Sequence, residues 1–148
     1  MNRTSTWTLR ALLTVAALAL AACAGGGGDK PAALGGTYWN VLEVGGAEFK
    51  AAKDQRDPHL RLDLQNQRAT GYGGVNSFFG SFETSGAKLQ FGSIGATRRA
   101  GPPAAMAFES AFLKALEATR SYRISGDRLE LLDAEGTVRA RLEALPPT

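Results

Sequence analysis

A small, mostly β domain of the α+β class is the fold this chain predicts: an antiparallel meander closing into a barrel-like sheet, with one α-helix packed on it. Three observations predict it. Short alternating apolar runs recur along the sequence, turn signals separate them about every eight to twelve residues, and a single longer segment switches to helical spacing. No β-α-β alternation is present, so a doubly wound sheet is not expected.

Taken in order, the chain opens on Arg3 and Arg10, has no acidic residue before Asp29, and continues in the apolar run "ALLTVAALALAA", Ala11 to Ala22. A basic start, a short apolar run and small residues at its end mark residues 1–22 as an export signal. The run is about a dozen residues, against the 20 or so of a membrane-spanning helix. Its last residues with the next, Leu20-Ala21-Ala22-Cys23, resemble a bacterial lipobox. That resemblance implies cleavage before Cys23 and acylation there, and Ala24 after it, where Asp would signal retention, implies the outer membrane, facing the periplasm. Cys23 is the chain's one cysteine, so no disulfide forms within one copy and thiol chemistry in the mature domain is excluded. Three acyl chains exceed the two-anchor requirement for stable attachment, at about 0.8 kcal/mol per buried methylene. Residues 23–33 form the lipidated start and a flexible linker, and "AGGGGDKPAA" has a root-mean-square span of roughly 17–19 Å. The globular domain is expected over 34–145.

Its first strand is "TYWNVLEV", Thr37–Val44, with Gly45-Gly46 as the turn and "AEFK", Ala47–Lys50, as a short returning arm. Polar residues 51–58 end in Asp-Pro and read as loop. "HLRLDL", His59–Leu64, places Leu60, Leu62 and Leu64 on one face, and "RATGYG" follows the "QNQ" turn. "SFFGSFET" and "KLQFGSI" flank the turn "SGA". After the helix come "SYRIS", "RLELL" and "VRARLEAL", separated by Gly126-Asp127 and "DAEG".

The helix is "PPAAMAFESAFLKALEAT", with prolines where a missing N–H costs nothing. At 100° per residue, Ala105, Met106, Phe108, Phe112, Leu113, Ala115 and Leu116 share one half of the wheel. Glu109 projects from the middle of that half. A buried carboxylate needs donors, so Glu109 is expected to accept hydrogen bonds from sheet backbone or from a nearby arginine and tie helix to barrel.

The segment "ATGYGGVNSFFGSFE", Ala69 to Glu83, poses the question of a phosphate-binding loop. The spacing places Asn76 where a dinucleotide loop needs its last glycine, a strand-like run follows where a helix should, and no Gly-Lys-Ser/Thr occurs. Glycines here are expected to bend a β-ribbon, at bulges and barrel corners, and not to hold an anion.

The succession "GTYWNVLEVGG", "LRLDLQNQRATGYGGVNSFFGSFE", "KLQFGSIGATRRAG", "AFESAFLKALEA" and "YRISGDRLELLDAEGTVRARLE" resembles a META/HslJ domain over about residues 35–143. The resemblance implies a small antiparallel barrel with one helix, and signature positions at Gly74, Asn76, Gly80, Thr97 and Glu109 of structural role. Many relatives carry a cysteine before that asparagine and another after the threonine-bearing strand, where this chain has Val75 and Gly101. Their joint absence implies that the two positions are neighbours.

Charge narrows the functional classes. The formal net charge is +3, but losing residues 1–22 takes two arginines and leaves 15 basic against 14 acidic residues. Without a basic block, nucleic-acid binding has no electrostatic argument. His59 is the sole histidine, reads as an exposed strand-edge residue, and has neither a nucleophile motif nor metal-ligand spacing around it. Arg98 and Arg99 are candidates for an anion or headgroup contact. Trp39 and the phenylalanines read as core. No cofactor or catalytic residue is expected. The expectation is a monomeric, membrane-anchored, non-catalytic envelope protein with a structural, interaction or stress-related role. The alternative is a carrier holding a small apolar or acyl ligand in the barrel.

Overall fold

The structure, a computed structural model, describes residues 30–51 and 53–145; the export signal, Cys23 and the first part of the linker lie outside the described residues. Its elements are β1 (Tyr38–Val44), β2 (Ala47–Glu48), β3 (His59–Asp63), β4 (Arg68–Tyr72), β5 (Ser77–Ser85), β6 (Lys88–Ala96), α1 (Pro103–Ala118), β7 (Ser121–Ser125), β8 (Arg128–Leu132) and β9 (Val138–Leu145). The strands all pair antiparallel in one sheet, and β1 pairing with β9 closes the ring, as the sequence leads one to expect. The free side of β1 is shared between β3, at Trp39 and Asn40, and β2, at Glu43 and Val44.

Alternation decides what lies inside. Trp39, Val41, Leu60, Leu62, Ala69, Phe78, Phe82, Leu89, Leu129, Leu131, Ala140 and Leu142 are at most 2% exposed and fill the ring. Trp39 donates its indole N–H to the Leu34 carbonyl at 3.0 Å, so its burial leaves no orphan donor. The seam between β6 and β7 is thin, with the single register pair Lys88 and Ser121. The chain between these strands is α1, which packs against β6, β1, β8 and β9 and sends Phe112 and Leu116 into the core. Glycines at the hairpin turns take positive φ: 58° and 85° at Gly45 and Gly46, 59° at Gly126 and 80° at Gly136.

Several outward residues correct the pattern reading. Leu64 does not join Leu60 and Leu62, because β3 ends at Asp63, whose carboxylate accepts the N–H groups of Gln65 and Asn66 and starts a turn. Leu64 is left 49% exposed. The returning arm β2 stops at Glu48, since Phe49 leaves to pack on Phe108, ring centroids 4.9 Å apart. Met106 is exposed on the helix, and Phe79 stands on the outer face while its neighbour Phe78 points in.

The barrel has two distinct ends. The chain enters at one, where Ala32 donates its N–H to Gly126 in the β7–β8 turn at 2.9 Å. β6 climbs away from Lys88, which pairs with the start of β7, and β7 descends from there to Gly126. The end of β6, the β4–β5 turn and the start of α1 therefore lie at the opposite end.

Candidate functional site

At that opposite end the β4–β5 turn spans residues 73–76. Gly73 donates its N–H to the Asn76 carbonyl at 2.8 Å, and Gly74 holds φ at 123°, a conformation that suits glycine. Closing the turn in this way aims two successive N–H groups, those of Val75 and Asn76, at one point. Glu109 occupies it: its Oε2 accepts from Val75 at 2.9 Å and from Asn76 at 2.5 Å. Its Oε1 accepts from Asn76 Nδ2 at 2.7 Å. A Cβ on Gly73 would lie 2.5 Å from Glu109 Cγ and 2.8 Å from Oε2, so only a glycine lets the carboxylate approach.

Asn76 passes the connection on to β6. Its Oδ1 accepts from the Thr97 hydroxyl at 2.9 Å and from the Arg99 N–H at 2.6 Å, and its Nδ2 donates to the Arg99 carbonyl at 3.2 Å. Both Asn76 and Glu109 are buried, at 5% and 8% exposure. Every hydrogen and acceptor of the Asn76 side-chain amide is used, and Glu109 has three donors. The site fastens helix, turn and strand end together.

The sequence reading of this segment is half right. The glycines do bend a ribbon, and a strand follows, not a helix. The segment nevertheless holds an anion, the chain's own Glu109 carboxylate, because successive N–H groups in a tight turn form a concave donor pair. The partners of Glu109 are backbone and Asn76; among the described residues no arginine side chain reaches it. Among the described residues, no cluster of three or more His, Cys, Asp or Glu has a metal-holding arrangement.

The META domain family matches residues 32–145. The chain belongs to the META domain family. In fold it is similar to a protein from Burkholderia xenovorans solved by NMR, at 22% identity and a TM-score of 0.63, covering 77% of this chain and 85% of that one. A second NMR structure is similar at 17% identity and a TM-score of 0.56, covering 72% and 87%. No curated protein matches the chain.

Of the META signature positions read from the sequence, Gly74, Asn76, Thr97 and Glu109 come together here. Gly80 lies apart, on β5, where the register with β6 slips between Gly80 and Phe82; a Cβ there would meet the Ser93 carbonyl at 2.9 Å. Val75 and Gly101 are neighbours as expected, the Val75 Cβ lying 3.4 Å from where a Gly101 Cβ would stand. Arg98 and Arg99 have exposed side chains, and only the main chain of Arg99 enters the network.

His59 is the residue that sequence reasoning misplaced. It is 6% exposed, stacked on Tyr38 with centroids 4.4 Å apart, and flanked by Tyr72 at 6.4 Å. The Arg56 guanidinium covers the Tyr72 ring at 5.1 Å. This row lies on the outer face of the barrel, and His59 is buried there by its ring neighbours and the 55–58 loop. Burial pushes its pKa below 6.5, and the nearby Arg56 and Arg61 act in the same direction against the Asp57 carbonyl.

Proposed function

We propose that this chain is a lipoprotein of the bacterial cell envelope, anchored through Cys23 to the outer membrane and facing the periplasm, whose META domain acts without catalysis in a structural, interaction or stress-related role. The observation that carries the non-catalytic reading is the saturation of the Glu109–Asn76 centre. A general acid or base must reach a substrate proton, whereas both oxygens of Glu109 are engaged by the turn and Asn76.

The carrier alternative receives no such support. The ring is filled by its own side chains, Trp39, Phe82 and Phe112 among them. Of three open depressions on the described surface, one is lined by Glu43, Arg128, Arg141 and Glu143, one by Glu83, Lys88 and Arg120, and one sets Leu62 and Leu64 beside Arg61 and Asp63. Apolar ligands call for apolar walls.

Anchoring is tested by expressing the full chain in a Gram-negative host, separating inner and outer membranes by density, and measuring the intact mass. A chain that begins at Cys23 with acyl chains added, found with the outer membrane and lost to the soluble fraction as Cys23→Ser, is the expected result. An unacylated Cys23 overturns it.

A further inference from the structure

We infer that Arg98 and Arg99 form a rigidly presented cationic docking point for an acidic segment of another envelope protein. The main chain of Arg99 is gripped on both sides by one buried amide: Asn76 Oδ1 takes its N–H at 2.6 Å and Asn76 Nδ2 gives to its carbonyl at 3.2 Å. Thr97 is fixed as well, by its hydroxyl to Asn76 Oδ1 at 2.9 Å and by its N–H to the Ser77 carbonyl at 3.0 Å. Arg98 is thereby bracketed by two fastened residues. A buried carboxylate, Glu109, holds the whole clamp against the helix.

What the clamp presents is two guanidinium groups, exposed and, among the described residues, without an ion pair or hydrogen bond. No Asp or Glu occurs between Arg98 and Phe108, and the acidic residue that follows, Glu109, is buried on its own donors. Across the turn the 53–57 loop carries Lys53 and Arg56 against Asp54 and Asp57, and its charge cancels. Glu48 and Lys50, which flank Phe49 beside the same turn, offset each other as well, so the net charge left over at this end is that of the arginine pair. Guanidinium forks match carboxylates in bidentate geometry, and fixing the backbone beforehand lowers the ordering cost of binding.

Orientation selects a protein as partner over the anchoring membrane, and this step alone rests on the anchor at Cys23 proposed above. The linker enters at the Ala32–Gly126 contact. β6 separates that end from Thr97 by nine residues, roughly 30 Å at about 3.3 Å each. The arginines therefore stand at the end of the barrel opposite the linker's entry, the end farther from the bilayer on a short tether.

The test uses the full chain in non-ionic detergent, its acylation state read by mass so that failure of the anchor is scored separately. Fluorescence anisotropy measures binding of a labelled oligoglutamate peptide at low salt and at about 0.15 M salt. Arg98→Gln/Arg99→Gln is expected to weaken binding about tenfold at low salt. Arg61→Gln/Arg68→Gln, which removes the same charge from exposed strand positions elsewhere, is expected to leave it within twofold. Equal weakening by both pairs reduces the effect to net charge and overturns the docking point, as does absence of peptide binding. A loss confined to vesicles of anionic phospholipid, with peptide binding unchanged, assigns the arginines to a membrane and also overturns it.

Discussion

Glu109 Oε2 accepts the main-chain N–H of Asn76 at 2.5 Å while Oε1 accepts the side-chain amide of the same residue at 2.7 Å, so one carboxylate grips one asparagine twice. Through this pair the helix, the β4–β5 turn and the end of β6 are joined. Glu109→Gln replaces one acceptor oxygen with a donor that faces either Asn76 Nδ2 or the turn N–H groups. A buried donor left unmatched costs about 1–3 kcal/mol. Urea denaturation is expected to show a loss of that size with an unchanged m-value. If stability is unchanged while an activity is lost, the structural role is wrong.

Val75 and Gly101 offer a second test of the same corner. Their Cβ positions stand 3.4 Å apart, near the separation of about 3.5–4.5 Å seen in disulfides. In a Cys23→Ser background, Val75→Cys/Gly101→Cys is expected to oxidise to an intrachain bridge that resists urea better by up to about 3 kcal/mol. Thiol titration before and after reduction reads its formation. Free thiols in an otherwise folded, oxidised protein would sink the assignment of these positions as neighbours.

Stability should fall on mild acidification because of His59. Its folded pKa is depressed below 6.5 by burial, so the neutral ring is the form the fold prefers. The contribution is complete above the unfolded pKa, near 6.5, and is lost as pH falls through the folded value. Urea midpoints measured between about pH 7.5 and 5 are expected to drop, and His59→Phe, which keeps a ring on Tyr38, is expected to flatten that limb.

A separate limb belongs to the outer-face ladder Glu43, Arg141, Glu130, Arg123, which runs across β1, β9, β8 and β7. The hydrogen bond from Arg123 holds the Glu130 carboxyl below 4.5, opposed by its burial and aided by the hydrogen bond from Arg141. This carboxyl stabilises the fold above its unfolded pKa, and the effect disappears as pH falls through the depressed folded value. Glu130→Gln is expected to cost no more than about 1 kcal/mol, with the difference from the parent shrinking in molar salt. A salt-independent loss would assign the effect to packing.

These tests also mark what the sequence could disclose. Strands β7, β8 and β9 were legible to the residue, because alternation and glycine turns are local. Glu109 was legible as a carboxylate on an apolar helix face, which demands partners. Which partners was not, since the Val75 and Asn76 N–H groups become a donor pair only once Gly73 and Gly74 close the turn. His59 escaped for a related reason: its burial comes from Tyr38, Tyr72 and the 55–58 loop, three segments that alternation treats as independent. Phe78 and Phe79 are chemically alike, and pleating alone sends one in and the other out.

Gly73 gives the sharpest test of why this turn is poor in side chains. Its missing Cβ is space that Glu109 fills, with Cγ 2.5 Å away, whereas a Cβ on Gly86, in the β5–β6 turn at φ 58°, meets no atom within 4 Å. Gly86→Ala should therefore cost only the left-handed backbone term, about 1–2 kcal/mol, and Gly73→Ala should cost more, by displacing the carboxylate from its donors. The two residues also make a separable pair. Truncating Glu109 to Ala removes the atoms that an alanine at 73 would strike, so Gly73→Ala/Glu109→Ala is expected to lose clearly less stability than the two single changes added together. Strict additivity would mean that the glycine answers to backbone conformation alone, and the close approach of Glu109 would then be a consequence of the turn and not its reason.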